Sequence, residues 1–159
     1  MWFLSEGFIN SVLTFLISMV PVVELRGAIP FAFARGLNMW LAIALSVAGN
    51  LLPVPFIIIY MRRIFSYIRK HFPALNNIIT KLERRTEKKS KTVLKYAFWG
   101  MFILVAIPLP GTGAWTGAMV AAIVDMRLKK AFPAIAAGVL VAATIVSFVT
   151  YGVFDFLIK

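Results

Sequence analysis

Cysteine is absent from the 159-residue chain, histidine occurs once, and only six residues are acidic. Without thiols there is no disulfide, no thiolate metal site and no cysteine nucleophile. One histidine and six carboxylates leave little from which to build a metal site or a Ser-His-Asp triad. No nucleophile–base pair or ligand cluster stands out, so neither a catalytic residue, a metal nor a cofactor is expected. A cleavable leader is not expected either. The start, Met1-Trp2-Phe3-Leu4-Ser5-Glu6, has no positive n-region and no A-x-A site follows, so the first apolar segment is expected to stay. Charge itself is scarce over long distances, with none within residues 8–23, 96–124 or 131–154.

What fills those stretches is apolar. Hydrophobic residues make up 61% of the chain and its mean hydropathy is +0.89, whereas a soluble domain sits near 45–50% apolar because it needs a polar coat. Runs of roughly 18 or more uncharged apolar residues read as membrane segments. The net charge of +11 is concentrated: eleven of seventeen Lys/Arg fall within residues 62–95, against Glu83 and Glu87. Lying between membrane segments, this run is explained by the positive-inside rule rather than by nucleic-acid binding.

With residues 62–95 cytoplasmic, residues 39–61 cross the membrane from the outside. Residues 96–124 then lead to a second basic cluster, Arg127-Leu128-Lys129-Lys130. A single crossing would put that cluster outside. A return keeps it inside, and Ile107-Pro108-Leu109-Pro110-Gly111-Thr112-Gly113 supplies the break near the middle. Each flanking arm has about a dozen residues, ~18 Å at 1.5 Å per residue, too short for a ~30 Å core. Residues 131–154 then cross outward and leave Lys159 outside. The first third repeats the plan, with an arm at residues 8–20, a break running from Pro21 to Pro30, and a return to a polar turn at residues 35–38. The fold expected is therefore an all-α integral membrane protein of one domain, residues 1–159. It comprises hairpin plus crossing helix (1–61), a basic cytoplasmic segment (62–95), and hairpin plus crossing helix again (96–159). Such an inverted repeat of re-entrant hairpins is an architecture of secondary transporters. In the basic segment, Leu75, Ile78, Ile79 and Leu82 at helical spacing predict an amphipathic helix on the anionic inner leaflet. Glu87 and Lys91 form a favourable i,i+4 pair. His71 reads as a solvated interfacial residue, as do Asp125 and Asp155 at membrane ends.

Glu24 and Arg26 carry the most information, because ionisable groups at membrane depth mark ion, proton or substrate paths. Burial favours the neutral form of Glu24 and nearby Arg26 favours the carboxylate. A carboxyl so balanced suits proton loading and release; the alternative is that the two residues neutralise each other and hold the loop closed. The second tip brings backbone groups instead. A helix starting near Thr112, Gly113 or Ala114 would aim free N–H groups at the midplane, as would one near Gly27, where Pro30 suits a first turn. Two such N-termini plus Arg26 suit an anionic group. The candidate substrate or proton site is Glu24, Arg26, Gly27, Pro30, Asn50, Pro108, Pro110, Gly111, Thr112, Gly113, Trp115 and Thr116. Asn50 either bonds a tip or ligand, or satisfies backbone freed by Pro53. Trp115 either stacks on substrate or packs. The small-residue run 134–143 offers close helix packing.

At Glu24-Leu25-Arg26-Gly27-Ala28-Ile29-Pro30, at Gly49-Asn50 with Pro53-Val54-Pro55, and at Pro108, Pro110-Gly111-Thr112-Gly113-Ala114-Trp115, the chain resembles the small multidrug export protein family. That family looks like a compact relative of the DedA/VTT membrane proteins, which have two re-entrant hairpins facing across the bilayer. DedA-type members are linked to proton-driven movement of lipid phosphates, and the VTT group to lipid scrambling. The second tip here lacks the acidic and basic residues of the DedA pattern. The function expected is a proton-coupled secondary transporter in the cell inner (plasma) membrane, taking a small amphipathic or anionic substrate at a midplane site. The alternatives are a DedA-like flippase or scramblase of lipid phosphates, and a non-transporting structural or assembly factor. Membrane lipids are the expected partners, nucleic acid is not, and a homodimer suits so short a chain.

Overall fold

In the computed structural model, residues 2–71, 90–109 and 111–153 are described, and among them every regular element is helical. Helix α1 (Trp2–Met19) and α2 (Glu24–Ala34) form a first hairpin. Helices α3 (Met39–Leu51) and α4 (Pro53–His71) are two halves of one long rod. Pro53 and Pro55 lack the N–H groups that would bond the carbonyls of Gly49 and Leu51, so the rod is interrupted at Leu52. A second hairpin follows, α5 (Ser90–Ala106) and α6 (Ala114–Ile123). The last helix, α7 (Leu128–Ser147), ends in a π-helical turn, Phe148–Val153. Met39–Tyr67 and Leu128–Gly152 are long and apolar enough to cross a membrane. The outgoing arms α1 and α5, 18 and 17 residues, are longer than the expected dozen because polar residues continue each helix beyond its apolar stretch. The returning arms have 11 and 10. Helix α4 runs on to His71, whose ring is exposed and stacks on Tyr67 at 4.1 Å. The amphipathic stretch 75–82, Glu87, Pro110 and Asp155 lie outside the described residues.

The junctions α2–α3 and α6–α7 share one local geometry. Helix α2 ends in a Schellman turn, with Leu37 N–H donating to Ala32 O and Gly36 N–H to Phe33 O. Helix α6 ends identically, Met126 to Ala121 and Asp125 to Ala122. The turn residue needs a positive φ, which Gly36 (69°) supplies freely and Asp125 (51°) tolerates. Asn38 and Arg127 then start α3 and α7 with near-identical dihedrals, though only Asn38 adds a side-chain cap, to Trp40 N–H at 2.9 Å.

The same register pairs Arg62 with Tyr151, and these two make exchanged contacts. Arg62, on α4, donates to Asp125 O at 2.9 Å and pairs with its carboxylate at 2.6 Å, pinning the second unit's turn. Tyr151, near the end of the last helix, donates to Leu37 O at 3.1 Å and pins the first unit's turn. Each long helix thus begins where the other ends, so the two run in opposite directions.

Packing is by small residues. Among the described residues twelve alanines are buried, while Phe8, Trp40, Phe56, Tyr96 and Phe148 are more than half exposed. Large apolar side chains outside and small ones inside are what lipid-facing helices show, since close backbone approach replaces water-driven burial. Gly49 marks that approach between α1 and α3: a Cβ there would strike Ser18 Oγ and Phe15 O. Gly138 occupies the equivalent place between α5 and α7, where a Cβ would sit 2.7 Å from Val105 Cβ and 2.9 Å from Phe102 O. Gly138→Ala should therefore destabilise the protein by roughly 1–3 kcal/mol through overpacking. Gly100, also helical but with open space around it, should tolerate alanine or gain up to about 1 kcal/mol. Thermal unfolding of both variants in detergent checks the contrast.

Candidate functional site

The loops that end the outgoing arms meet each other. The first, residues 20–23, is held by Val20 N–H to Ile17 O and Glu24 N–H to Val20 O. Turning so tightly places Val22 at φ 78° and Glu24 at φ 49°. For a β-branched residue this is strained, of order 1–3 kcal/mol, and such strain persists only where the surroundings hold it. What holds it is the second loop, described at residues 107–109 and 111–113.

Glu24 is 4% exposed and reaches across to the start of α6. Gly113 is the residue before that helix and has no side chain with which to cap it. Glu24 Oε1 accepts from Trp115 N–H at 3.1 Å instead, and the Ala114 N–H also faces the carboxyl. The cap of α6 thus comes from the other hairpin, and it places an anion at the positive end of the helix. The space is made by Gly113, where a Cβ would lie 2.6 Å from Glu24 Cδ.

Arg26 serves the complementary end. Its guanidinium donates to Ile107 O at 3.2 Å, to Leu109 O, and to Thr112 Oγ1 at 3.2 Å. These carbonyls follow the C-terminus of α5, where cations are favoured. Thr112 Oγ1 lies 3.0 Å from both of them, and Thr116 Oγ1 donates to Gly111 O at 2.8 Å, so the loop is braced internally. Trp115 Nε1 closes the arrangement by donating to Met19 O, the last residue of α1, at 3.1 Å. Glu24 and Arg26 make no direct ion pair; Coulomb attraction acts between them at longer range while each is spent on the opposite hairpin.

Of the residues singled out in the sequence, Glu24, Arg26, Thr112, Gly113 and Trp115 come together here. Asn50 joins them from α3. It interacts with the Glu24 carboxyl, yet neither amide atom meets hydrogen-bond geometry, and both are buried. It therefore does not satisfy the backbone freed by Pro53. Gly111 (φ 81°) shapes the second loop and Pro108 sits half-buried within it. Gly27 and Pro30 are corrected: α2 starts at Glu24, so both lie inside the helix and offer no N-terminal donors. Pro30 is tolerated there at the expense of one bond to Arg26 O. Sequence reasoning missed the carbonyls of Met19, Ile107 and Leu109, which carry no side-chain signature. It also missed Ser46 and Ser147, whose hydroxyls are buried without partners; Ser46, one turn before Asn50 in an apolar helix, was a usable signal. Among the described residues no three His, Asp or Glu side chains gather as metal ligands.

Compared with known families, residues 24–145 match the model described as "Putative small multi-drug export protein". No curated protein and no solved structure matches.

If Gly113 exists to admit the Glu24 carboxylate, Gly113→Ala and Glu24→Ala should each destabilise the protein by about 1–3 kcal/mol, through the same lost bond. Their effects should then fail to add, the double variant falling short of the sum by at least ~0.5 kcal/mol. Unfolding of the two single variants and the double variant in one detergent measures this coupling.

Proposed function

The chain belongs to the small multi-drug export protein family, and from that premise we propose that it is a proton-coupled secondary transporter working between its two hairpin tips. Family and the two long apolar helices together make it a membrane protein. The hairpins fit re-entrant elements of an inverted repeat. Helices α2 and α6, at 11 and 10 residues, reach only about 16 Å, half of a ~30 Å core. Asn50, beside Glu24, lies near the middle of Met39–Tyr67, which supports tips at mid-depth. The Arg62–Asp125 pair sets the Arg62-Arg63 end of α4 beside Arg127, Lys129 and Lys130, as a cytoplasmic face in the inner membrane requires.

The observation that carries the proposal is the latch: one tip supplies both charges, and both are spent on the helix ends of the other tip. A charged Glu24 holds the α6 N-terminus most strongly. Gaining a proton removes the anion that the helix dipole favours, so the tips part. The freed Gly113–Trp115 backbone and Arg26 then offer donors to an anionic or amphipathic substrate. Losing the proton restores the carboxylate, which displaces the substrate. Exposed Val22 and Leu109 flank the tips with apolar surface, which also suits a lipid phosphate approaching from the bilayer.

Liposomes with and without a pH gradient, assayed in parallel for a cationic dye and a lipid phosphate, test this. One of the two should move faster with the gradient. Glu24→Gln, which keeps an oxygen for Trp115 N–H, should stay folded and move it at a rate independent of the gradient. Gradient-driven movement unchanged in Glu24→Gln would remove the coupling role. Movement of neither substrate by the native protein would favour an assembly factor.

A further inference from the structure

The two units share their turns and close contacts, yet their interiors differ in chemistry. The register set by Pro21 and Pro108 pairs Thr14 and Ser18 of α1 with Met101 and Val105 of α5. The register set by Asn38 and Arg127 pairs Ser46 and Asn50 of α3 with Ile135 and Val139 of α7. Every one of these eight side chains is buried. At these four pairs of positions the first unit is polar and the second apolar. The long helices extend the contrast, since Ser147 and Thr150, buried near the first unit's turn, correspond to Ile58 and Met61 on α4.

The polar set is ordered along the helices from the tip toward the α2–α3 turn. Asn50 touches the Glu24 carboxyl, and its neighbour Gly49 packs on Ser18. Ser46 lies one turn further from the tip on α3, and Thr14 one turn further on α1. Ser147 and Thr150 flank Tyr151, whose hydroxyl binds Leu37 O in the α2–α3 turn. Thr14 and Ser18 turn their hydroxyls onto carbonyls of their own helix. Ser46 Oγ, Ser147 Oγ and both Asn50 amide atoms have no protein partner. Buried polar groups are normally bonded, because leaving one bare costs about 1–3 kcal/mol. Arg26 Nε at the tip and Arg62 Nε on the opposite face are also without partners. The four Ser46, Ser147 and Asn50 atoms, however, have apolar side chains at their matching places, which points to water or protons as their missing partner.

We propose that α1, α3 and the end of the last helix hold a one-sided hydrated lane through which Glu24 exchanges protons with the face bearing the α2–α3 turn, with α4, α5 and the first part of α7 forming an apolar seal toward the Arg62 face. This rests on the reading of Glu24 as the proton site. The groups facing Glu24 suit that task. Arg26 is the one charged residue beside it among those described, α3 brings Asn50, and the second hairpin brings the Trp115 and Ala114 N–H groups. A lane open to one side and sealed on the other lets a carboxyl load from a single compartment while the latch is shut. Opening the latch is then the step that changes access.

The absence of native cysteine gives the test a clean background. Ser46→Cys and Ser147→Cys sample the lane; Ile135→Cys and Ile58→Cys sample the matching places in the seal. In proteoliposomes of the full chain, silver ion in chloride-free buffer is added to one side, with Asn38→Cys marking the turn face. Unreacted thiols are then counted after solubilisation. Because only a hydrated thiol ionises readily, the lane cysteines should react at least about tenfold faster than the seal cysteines, from the turn face only. Equal rates in the two sets, silent lane cysteines, or reaction from the Arg62 face would each overturn the lane. The silver rates involve no substrate, so a failed lane with Glu24-dependent flux intact leaves the coupling reading standing. An open lane with flux indifferent to Glu24→Gln does the reverse.

Discussion

A carboxylate from one hairpin capping a helix of the other is the interaction on which the rest depends. Any helix leaves its first N–H groups without partners, and donors buried inside a protein must find others. The break at residues 107–113 therefore creates a need in the middle of the protein, for donors on α6 and for carbonyls after α5. Glu24 and Arg26 meet both ends of that need. A surface cap is worth about 1 kcal/mol, and a partly buried anion at a helix N-terminus up to ~2 kcal/mol. Those sums are modest, as the proposed opening of the latch requires.

The price of the arrangement is local strain and lost bulk. Val22 and Glu24 adopt positive φ so that the first loop can present its charges, and Gly113 gives up a side chain so that the carboxylate can enter. Around this point the units are joined by exchange, each long helix holding the other unit's turn through Arg62 or Tyr151. Parting the tips thus need not separate the units at their outer turns. The asymmetry falls inside that frame: one tip carries both charges, and buried Thr14, Ser18, Ser46 and Asn50 stand opposite buried apolar residues.

Much of this was legible in the chain. Uncharged runs gave the two long helices, and the Pro/Gly clusters gave the loops, because those residues disrupt helices wherever they fall. Glu24 and Arg26 stood out as isolated charges in apolar surroundings. Their partners did not, since backbone carbonyls and N–H groups leave no trace in residue identity, and Trp115 lies far along the chain. The first loop was expected to extend to Pro30, because proline marks an early helical position more often than a seventh one. The longer first arms were also hidden, because hydropathy reports where lipid could lie and not where a helix ends. Gly36 and Asp125, unlike as residues, take the same turn, a likeness that residue identity did not show.

The trans cap can be observed at a single amide. With ¹⁵N introduced only into tryptophan, the four residues of that type give a spectrum in which the Trp115 backbone N–H reports on Glu24 and its indole N–H on Met19 O. In lipid nanodiscs the Trp115 amide should exchange slowly with deuterium. Glu24→Ala should speed that exchange and shift the resonance, with little change at Trp2, Trp40 or Trp99. A Trp115 amide whose exchange and shift are indifferent to Glu24 would contradict the account at its foundation.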